Sequence, residues 1–143
     1  MAKIGDAIWE LGVRDFMLTS QPTNEKEFLE YFKKITGKTE DDMAITSSDP
    51  KLFGCTWKEV KEKFDELEAA APLNDLRHKR NIMLTECDWT RVDDNGLSEE
   101  KKKEWETYRK ALRDLPSSDN GKNAAYENDG VTLKNVTWPK RPE

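Results

Sequence analysis

Bulky apolar residues recur at three- and four-residue steps along much of this chain, a spacing that predicts helices packed through one face. The clearest set is Trp57, Val60, Phe64 and Leu67, and Lys and Glu fill the opposite face. Thr56 and Glu59, just before and within this set, have the spacing of a capping box, which starts a helix. We therefore predict a helix that begins after Thr56 and ends near Ala71.

The same periodicity predicts three further helices. Asn24 and Glu27 form a second capping box, and the helix that they open extends to about Ile35. Another helix covers residues 73–86, and Pro72 before it predicts a bend, because proline is tolerated in the first turn of a helix but not in its interior. The last helix runs from Ser98, a suitable N-cap, to about Asp114.

These elements predict a mainly α fold with an α+β region at the N-terminus. Residues 1–71 form an N-terminal α+β module with one or two short strands, and residues 72–116 form a helical hairpin. Residues 117–130 are mostly Ser, Asp, Asn, Gly, Lys and Ala, a composition typical of a flexible linker. Residues 117–143 thus predict a linker followed by an extended tail with Val136 and Trp138 on one side.

Composition indicates a small core with a large polar surface. Charged residues make up 37% of the chain and hydrophobic residues 35%, but five Trp and five Phe supply bulky core material. The chain is therefore not disordered throughout. A domain of this kind gains stability from a partner or from self-association.

The distribution of charge argues against nucleic-acid and membrane partners. The net charge is −5, and residues 1–71 carry all of it, with 10 basic and 15 acidic side chains. No basic face is available for phosphates or anionic lipids. No apolar run approaches the roughly 20 residues of a membrane helix, and no secretory signal is recognisable, so we expect the protein in the cytoplasm where it is made. Cys55 and Cys87 are expected as reduced thiols.

No pattern of catalytic or metal-binding residues is recognisable. His78 is the only histidine and lies among Arg and Lys, which indicates a solvated surface residue. The acidic clusters at residues 40–42 and 93–94 lie in polar loops, where carboxylates lack the environment that catalysis requires. The glycines are scattered, so no phosphate-binding loop is predicted. We expect no enzyme activity, no metal and no cofactor.

Two features of the C-terminal half are candidates for structural or binding roles. Asp88 lies at the end of one hairpin helix, and Arg109 and Arg113 lie one turn apart on the other. A bidentate contact between Asp88 and one of these arginines would lock the hairpin. Trp105 and Tyr108 belong to the apolar stripe of the last helix and are expected in the core.

The second feature is the terminal Trp138-Pro139 with Pro142, a short rigid anchor that follows a flexible segment. Two interpretations are open. Trp138 packs back on its own hairpin and caps the small core, or it docks on another chain.

The C-terminal half also carries several rare residues in a fixed order. They are Arg77 and Arg80 on a Leu-containing helix, Asp88-Trp89-Thr90, Trp105, Tyr108-Arg109, Leu112-Arg113-Asp114-Leu115-Pro116 and Trp138-Pro139. Over residues 73–143 this order resembles the tail assembly chaperone family of tailed bacteriophages. It is similar, more weakly, to the C-terminal part of phage tail-fibre assembly proteins. The chain departs from the family in Met83-Leu84, where a leucine-rich stretch is usual, and in a longer, more polar linker before Trp138.

The first half is similar to N-terminal extensions of such proteins in tailed phages of marine and cyanobacterial hosts. The residues that carry this similarity are Gln21-Pro22-Thr23-Asn24-Glu25, Phe28, Phe53-Gly54-Cys55-Thr56-Trp57 and Val60.

The resemblance implies a non-enzymatic protein that binds a phage tail, baseplate or fibre protein. It would act as an assembly chaperone or remain in the virion as a structural component, and self-association is open. The alternative is a helical interaction module unrelated to tails. Candidates for partner binding or for locking the hairpin are Asp88, Trp89, Trp105, Tyr108, Arg109, Arg113, Trp138 and Pro139.

Overall fold

Helices dominate the chain, and the strands form two small sheets. The computed structural model describes residues 1–143, of which 52% are helical. The α-helices are α1 (Ile4–Glu10), α2 (Glu25–Tyr31), α3 (Trp57–Glu86), α4 (Glu99–Asp114) and α5 (Asp119–Lys122). The strands are β1 (Phe16–Leu18), β2 (Phe32–Lys38), β3 (Ala44–Ser47), β4 (Ala125–Tyr126) and β5 (Leu133–Lys134). The predicted mainly α fold with an α+β N-terminal region is confirmed.

Two compact units divide the chain at Ala69–Ala70, a point that lies within α3. The first unit, Met1–Ala69, contains α1, α2 and an antiparallel sheet with the order β1-β2-β3. The second unit, Ala70–Glu143, contains α4, α5 and the two-stranded sheet of β4 and β5. The predicted boundaries at residues 71 and 116 stay predictions.

An aromatic cluster forms the core of the first unit. Phe28, Phe32 and Phe53 are fully buried, and the rings of Phe32 and Phe53 lie 4.2 Å apart between centroids. The Phe28 ring meets that of Phe53 edge-on at 5.9 Å. Trp57 of α3 packs against the same cluster, with its ring 5.7 Å from that of Phe28. The predicted apolar stripe of α3 thus faces this core.

The predicted helix from Asn24 to Ile35 is too long. Asn24 caps α2 as expected, since its side chain accepts a hydrogen bond from the Glu27 N–H, but α2 ends at Tyr31 and Phe32–Lys38 form β2. Ile35, Thr36 and Gly37 are poor helix formers, and β1 and β3 offer backbone hydrogen bonds on both sides of this segment. Phe32 reaches the core from either conformation, so the apolar pattern alone could not tell them apart.

The predicted helix boundary at Pro72 is also wrong, because α3 runs through Pro72 without a break. Proline removes one helical hydrogen bond and costs about 3 kcal/mol in a helix interior. Val60 before it and Leu76 after it are fully buried, and Pro72 is itself buried. Burial of such side chains contributes about 1.5–3 kcal/mol each and offsets this cost.

The segment predicted as a linker contains regular structure. It includes α5 and β4, and β4 pairs with β5 through Ala125–Lys134 and Tyr126–Leu133. Position 121 of α5 requires glycine because the backbone of Leu115 approaches it closely. A Cβ there would lie 2.1 Å from the Leu115 carbonyl oxygen. The predicted extended tail forms a strand only at Leu133–Lys134.

Truncation of Phe53 should destabilise the first unit strongly. Phe53→Ala leaves a cavity among aromatic rings, and we expect a loss of about 3–5 kcal/mol in the free energy of unfolding, measured by urea denaturation. The control is Leu52→Ala, because Leu52 is 47% exposed, and it should change the free energy by no more than about 0.5 kcal/mol. Equal losses in the two variants would contradict this core.

The capping contact at the start of α3 should be detectable in the pKa of Glu59. Hydrogen bonds from the Thr56 backbone N–H and hydroxyl lower the pKa of Glu59 below its ordinary value of 4.5. Because the folded-state pKa is lowered, this contribution to stability is complete above the unfolded-state pKa and is lost as the pH falls through the folded-state pKa. Thr56→Ala should raise the Glu59 pKa measured by NMR, whereas Thr85→Ala on the same helix should leave it unchanged.

Candidate partner-binding surface

The second unit is organised around an aromatic seam between the C-terminal part of α3 and α4. α4 begins at Ser98, whose side chain accepts a hydrogen bond from the Lys101 N–H at 3.2 Å. The three- and four-residue steps from Trp105 to Tyr108 and Leu112 place these buried side chains on one face of α4. The core that they form with Cys87 also contacts Met83, Leu84, Leu97 and Trp138.

Arg109 joins the two helices at this seam. Its Nη2 lies 2.9 Å from the Asp88 Oδ1, and its Nη1 donates to the Leu84 carbonyl oxygen at 3.0 Å. The same Nη1 lies 3.1 Å from the Cys87 Sγ. The predicted bidentate contact with Asp88 is therefore wrong in geometry, because the guanidinium divides its donors between the carboxylate and the end of α3. The Asp88 side chain is 63% exposed, so the ion pair is partly screened by solvent.

The Arg109 guanidinium stays charged in this setting. Burial acts to lower its pKa, but hydrogen bonds to Cys87 and Asp88 outweigh burial and raise the pKa. A charged donor next to the Leu84 carbonyl oxygen also stabilises the C-terminal end of α3, where helical carbonyl groups lack intrahelical partners.

Arg113 is not brought to Asp88. Its side chain is exposed, and its backbone carbonyl oxygen accepts a hydrogen bond from the Arg80 Nη1 at 3.4 Å. Arg80 is thus a further cross-helix donor that the sequence did not single out. Arg80 lies on the same face of α3 as Leu73 and Leu76. Only the pairing of α3 with α4 brings it to Arg113 near the end of α4.

The tryptophans of the hairpin form a connected set. The Trp89 ring meets the buried Trp105 ring edge-on at 5.6 Å, and Trp105 meets Tyr108 edge-on at 5.8 Å. Trp89 itself is about half exposed, so it extends the aromatic seam to the surface at the hairpin loop. Burial raises the pKa of Tyr108, which keeps its hydroxyl neutral.

Trp138 packs against this same core, which is the first of the two interpretations considered for the tail. The Lys79 Nζ lies 5.0 Å from the centre of the Trp138 ring, within the range of a cation–π contact. Three residues further along, the guanidinium of Arg141 lies 5.5 Å from the centre of the Trp105 ring and 3.8 Å from the Glu86 carboxylate. The tail is thus fixed along the hairpin.

Polar contacts hold the segment that leads to Trp138. The Asn120 side-chain amide makes two hydrogen bonds with the Thr137 backbone. It donates to the carbonyl oxygen at 3.3 Å and accepts from the N–H at 3.2 Å. Asn135 donates to the Asn123 carbonyl oxygen at 3.2 Å. Asn120 belongs to the segment whose composition predicted a flexible linker, and only tertiary pairing shows its function.

A groove of about 720 Å³ lies between α4 and the C-terminal segment. Its lining residues are Lys101, Lys103, Glu104, Thr107, Tyr108, Ala111, Pro139, Lys140, Arg141, Pro142 and Glu143. Lys101 and Glu104 pair with each other at 2.9 Å. Lys103, Lys140 and Arg141 give the rest of the rim a positive charge, with Glu143 as the remaining carboxylate side chain.

The remaining titratable side chains do not form a metal-binding cluster. His78 is exposed, and no group of three or more His, Cys, Asp or Glu side chains is placed to hold a metal ion. Both cysteines are free, and burial raises the pKa of Cys55 to about 11. None of the helices combines the length and the apolar character that crossing a bilayer requires.

The second unit is thus a helical hairpin with a docked tail and a solvent-facing groove. Residues 73–143 match the family described as phage tail assembly chaperone protein. Through its C-terminal half the chain belongs to this family, and the predicted resemblance is confirmed. No curated protein and no solved structure matches the chain. The resemblance of residues 1–72 to phage N-terminal extensions lies outside the match and stays a prediction.

Family membership supports a role in phage tail assembly, and the family is generally non-enzymatic. It also suggests interaction with phage tail proteins. The matched residues include every candidate site residue, from Asp88 to Pro139.

Loss of the Arg109 guanidinium should weaken the hairpin more than loss of the Asp88 charge. Arg109→Met keeps much of the side-chain volume but removes the guanidinium's contacts with the Leu84 carbonyl oxygen, the Cys87 Sγ and Asp88, which should cost about 1–3 kcal/mol in the free energy of unfolding. Asp88→Asn removes a partly solvated charge and should cost about 1 kcal/mol or less. Urea denaturation followed by tryptophan fluorescence measures both.

The control is Arg113→Met, the same substitution one turn further along α4 at an exposed side chain. It should change the free energy of unfolding by no more than about 0.5 kcal/mol. If Arg113→Met and Arg109→Met were equally costly, the special position of Arg109 would be refuted.

Proposed function

We propose that this protein assists phage tail assembly by binding another tail, baseplate or fibre protein in the groove between α4 and the C-terminal segment. The observation that carries the proposal is the groove itself, which lies within the family-matched residues and is walled by Pro139 and Pro142. Its tail-side wall is already ordered by Trp138 and Asn120, so a partner need not supply that ordering free energy.

The lining of the groove indicates the chemistry of the bound segment. Ala111, Thr107 and the two prolines offer apolar contacts, and the Tyr108 ring lines the groove next to them. The surplus positive charge of the rim favours carboxylates on the partner. The partner segment is therefore apolar in its centre and acidic at its ends.

The half-exposed Trp89 ring adds a second contact at the hairpin loop. Tryptophan is enriched among the residues that dominate binding energy at interfaces, because a large ring is buried at low entropic cost. Asp88 and Arg109 hold the loop that presents it, and act as hairpin-locking residues rather than as contacts.

The chaperone role and the structural role share this surface and differ in when the partner is released. As a chaperone, the protein would cover the partner segment, with its apolar centre and acidic ends, in the host cytoplasm and leave before the tail is complete. As a structural component, it would remain bound in the virion. A helical interaction module unrelated to tails is the alternative, and membership of the tail assembly family argues against it.

A carboxylate placed in the groove should oppose the acidic partner. Ala111→Glu adds a negative charge at an exposed helical position, and glutamate is a good helix former, so the fold should be retained. We expect about tenfold less tail protein recovered with the chain from infected cells, and fewer infectious particles from phage that carry the substitution. Circular dichroism checks the fold.

The matched control is Thr85→Glu, which adds the same charge at an exposed position of α3 outside the groove. It should leave recovery of the tail protein and the particle yield unchanged. Wild-type recovery and yield with Ala111→Glu would show that the groove does not bind the partner.

Mass spectrometry of purified particles separates the two roles. The chain at stoichiometric level in particles would identify a structural component. The chain only in lysate, bound to a tail or fibre protein, would identify a chaperone that is released. Capture of non-tail proteins alone would favour the unrelated module.

A further inference from the structure

The free edge of strand β3 is a second surface with a defined binding chemistry. β3 is the last strand of the sheet in the first unit, whose order is β1-β2-β3. Residues 38–46, which include the turn after β2 and most of β3, are all exposed. An exposed edge strand presents unpaired N–H and C=O groups to which another strand can add.

Hydrogen bonds within the hairpin show which backbone groups face this edge. The Met43 carbonyl oxygen accepts from the Thr39 N–H at 2.8 Å, and the Ile45 carbonyl oxygen accepts from a β2 hydroxyl at 3.3 Å. Both groups therefore point toward β2. Because consecutive residues of a strand direct these groups to opposite edges, the N–H and C=O groups of Ala44 and Thr46 face away from β2.

Apart from its short length of four residues, β3 lacks the usual protections of an edge strand. Natural edges carry proline, lysine or a bulge that prevents pairing with a further strand. Ala44–Ser47 contain none of these, and the irregularity in register lies on β2, between Ile35 and Gly37. Met43 and Ile45 are 67% and 45% exposed, so apolar side chains accompany the free backbone groups.

Charge distinguishes between the segments that could occupy the edge. Residues 40–42 are acidic and precede β3, whereas Asp49 after β3 is offset by Lys51 and by the Lys33 Nζ, which lies 2.7 Å from the Ser48 hydroxyl. Lys38 pairs with Asp42 at 2.8 Å, and residues 38–51 retain a net negative charge. The first unit as a whole carries the net charge of −5. A second copy of this edge would bring like charges together, whereas a strand with basic flanks would meet opposite charges.

We propose that the free edge of β3 binds an extended segment of another protein that has alternating apolar side chains and Lys or Arg at the end that lies beside residues 40–42. The segment adds to the sheet as a fourth strand. Ala44 and Thr46 supply the backbone hydrogen bonds, and Met43 and Ile45 contact its apolar side chains. The acidic residues 40–42 before β3 select this basic end. This surface lies in the first unit and does not depend on the groove of the second.

A matched pair of variants at Thr46 tests the backbone contact in the full-length chain. Thr46→Pro removes an N–H that β2 does not use, so the sheet should be retained, as circular dichroism would show. Thr46→Ala removes the same side chain but keeps the N–H. The probe is the blocked peptide Lys-Lys-Val-Thr-Val-Thr-Lys-Lys, with a second peptide that has Glu in place of Lys as the charge control.

We expect the lysine peptide to bind the wild type and Thr46→Ala with affinities within about twofold of each other. Its affinity for Thr46→Pro should be at least about tenfold lower, and the glutamate peptide should bind the wild type at least about tenfold more weakly. Equal affinity for Thr46→Pro and Thr46→Ala, or equal affinity of the two peptides, would overturn the proposal.

Amide hydrogen exchange in the wild type gives a test that does not depend on the folding of any variant. Saturating lysine peptide should slow exchange of the Ala44 and Thr46 amide protons. Unchanged exchange at both positions would refute strand addition. Dimerisation of the wild type without peptide binding, abolished by Thr46→Pro, would assign the edge to a second copy and would equally refute the proposed partner.

Discussion

The second unit depends on one guanidinium group that ends one helix and holds the next. Arg109 of α4 reaches the Leu84 carbonyl oxygen near the end of α3, and its other terminal nitrogen meets Asp88 in the hairpin loop. A backbone acceptor at a helix end must find a partner once water is excluded. The Cys87 N–H and Arg109 both donate to the Leu84 oxygen. Because Arg109 belongs to α4, its bond fixes the direction in which α3 leads into the loop together with the packing of Trp105 and Tyr108.

The docked tail follows from this seam. Trp138 is half-buried because the paired helices present a core that includes Cys87, Tyr108 and Leu112. The contacts that bring it there are individually weak, since an exposed cation–π contact contributes about 0.5–1 kcal/mol and a neutral hydrogen bond about as much. They reinforce one another because each contact shortens the length of free chain that the next contact must order. The groove wall is therefore a consequence of hairpin packing rather than an independent element.

Local signals in the sequence predicted much of this architecture. The capping residues Asn24, Thr56 and Ser98 each mark a helix start, and Asp88 and Arg109 are in contact. These features depend on residues close in sequence or on the one oppositely charged pair that a short hairpin brings together. They could be read without knowledge of the tertiary fold.

The errors have a common physical cause, which is that tertiary partners outweighed local preference. Phe32–Lys38 became a strand because two neighbouring strands offered hydrogen bonds, and Pro72 stayed helical because buried side chains lie before and after it. The composition around Asn120 predicted a flexible linker, because its backbone partner at Thr137 is distant in the sequence. The groove and the β3 edge could not be predicted for the same reason. The groove is formed by segments that only the fold places side by side, and the β3 edge is a strand that only the fold leaves without a neighbour.

The division of charge along the chain gives the two candidate surfaces opposite preferences. The first unit carries the whole net charge of −5, and its free edge follows the acidic residues 40–42, whereas the second unit is balanced and its groove has a positive rim. A single partner segment could not satisfy both surfaces, since the flanking charges that favour one would oppose the other. Two segments of opposite flanking charge are therefore required for both to be occupied at once. A protein with two such surfaces is suited to bring two different chains together, which is the chemical task that assembly of a tail presents.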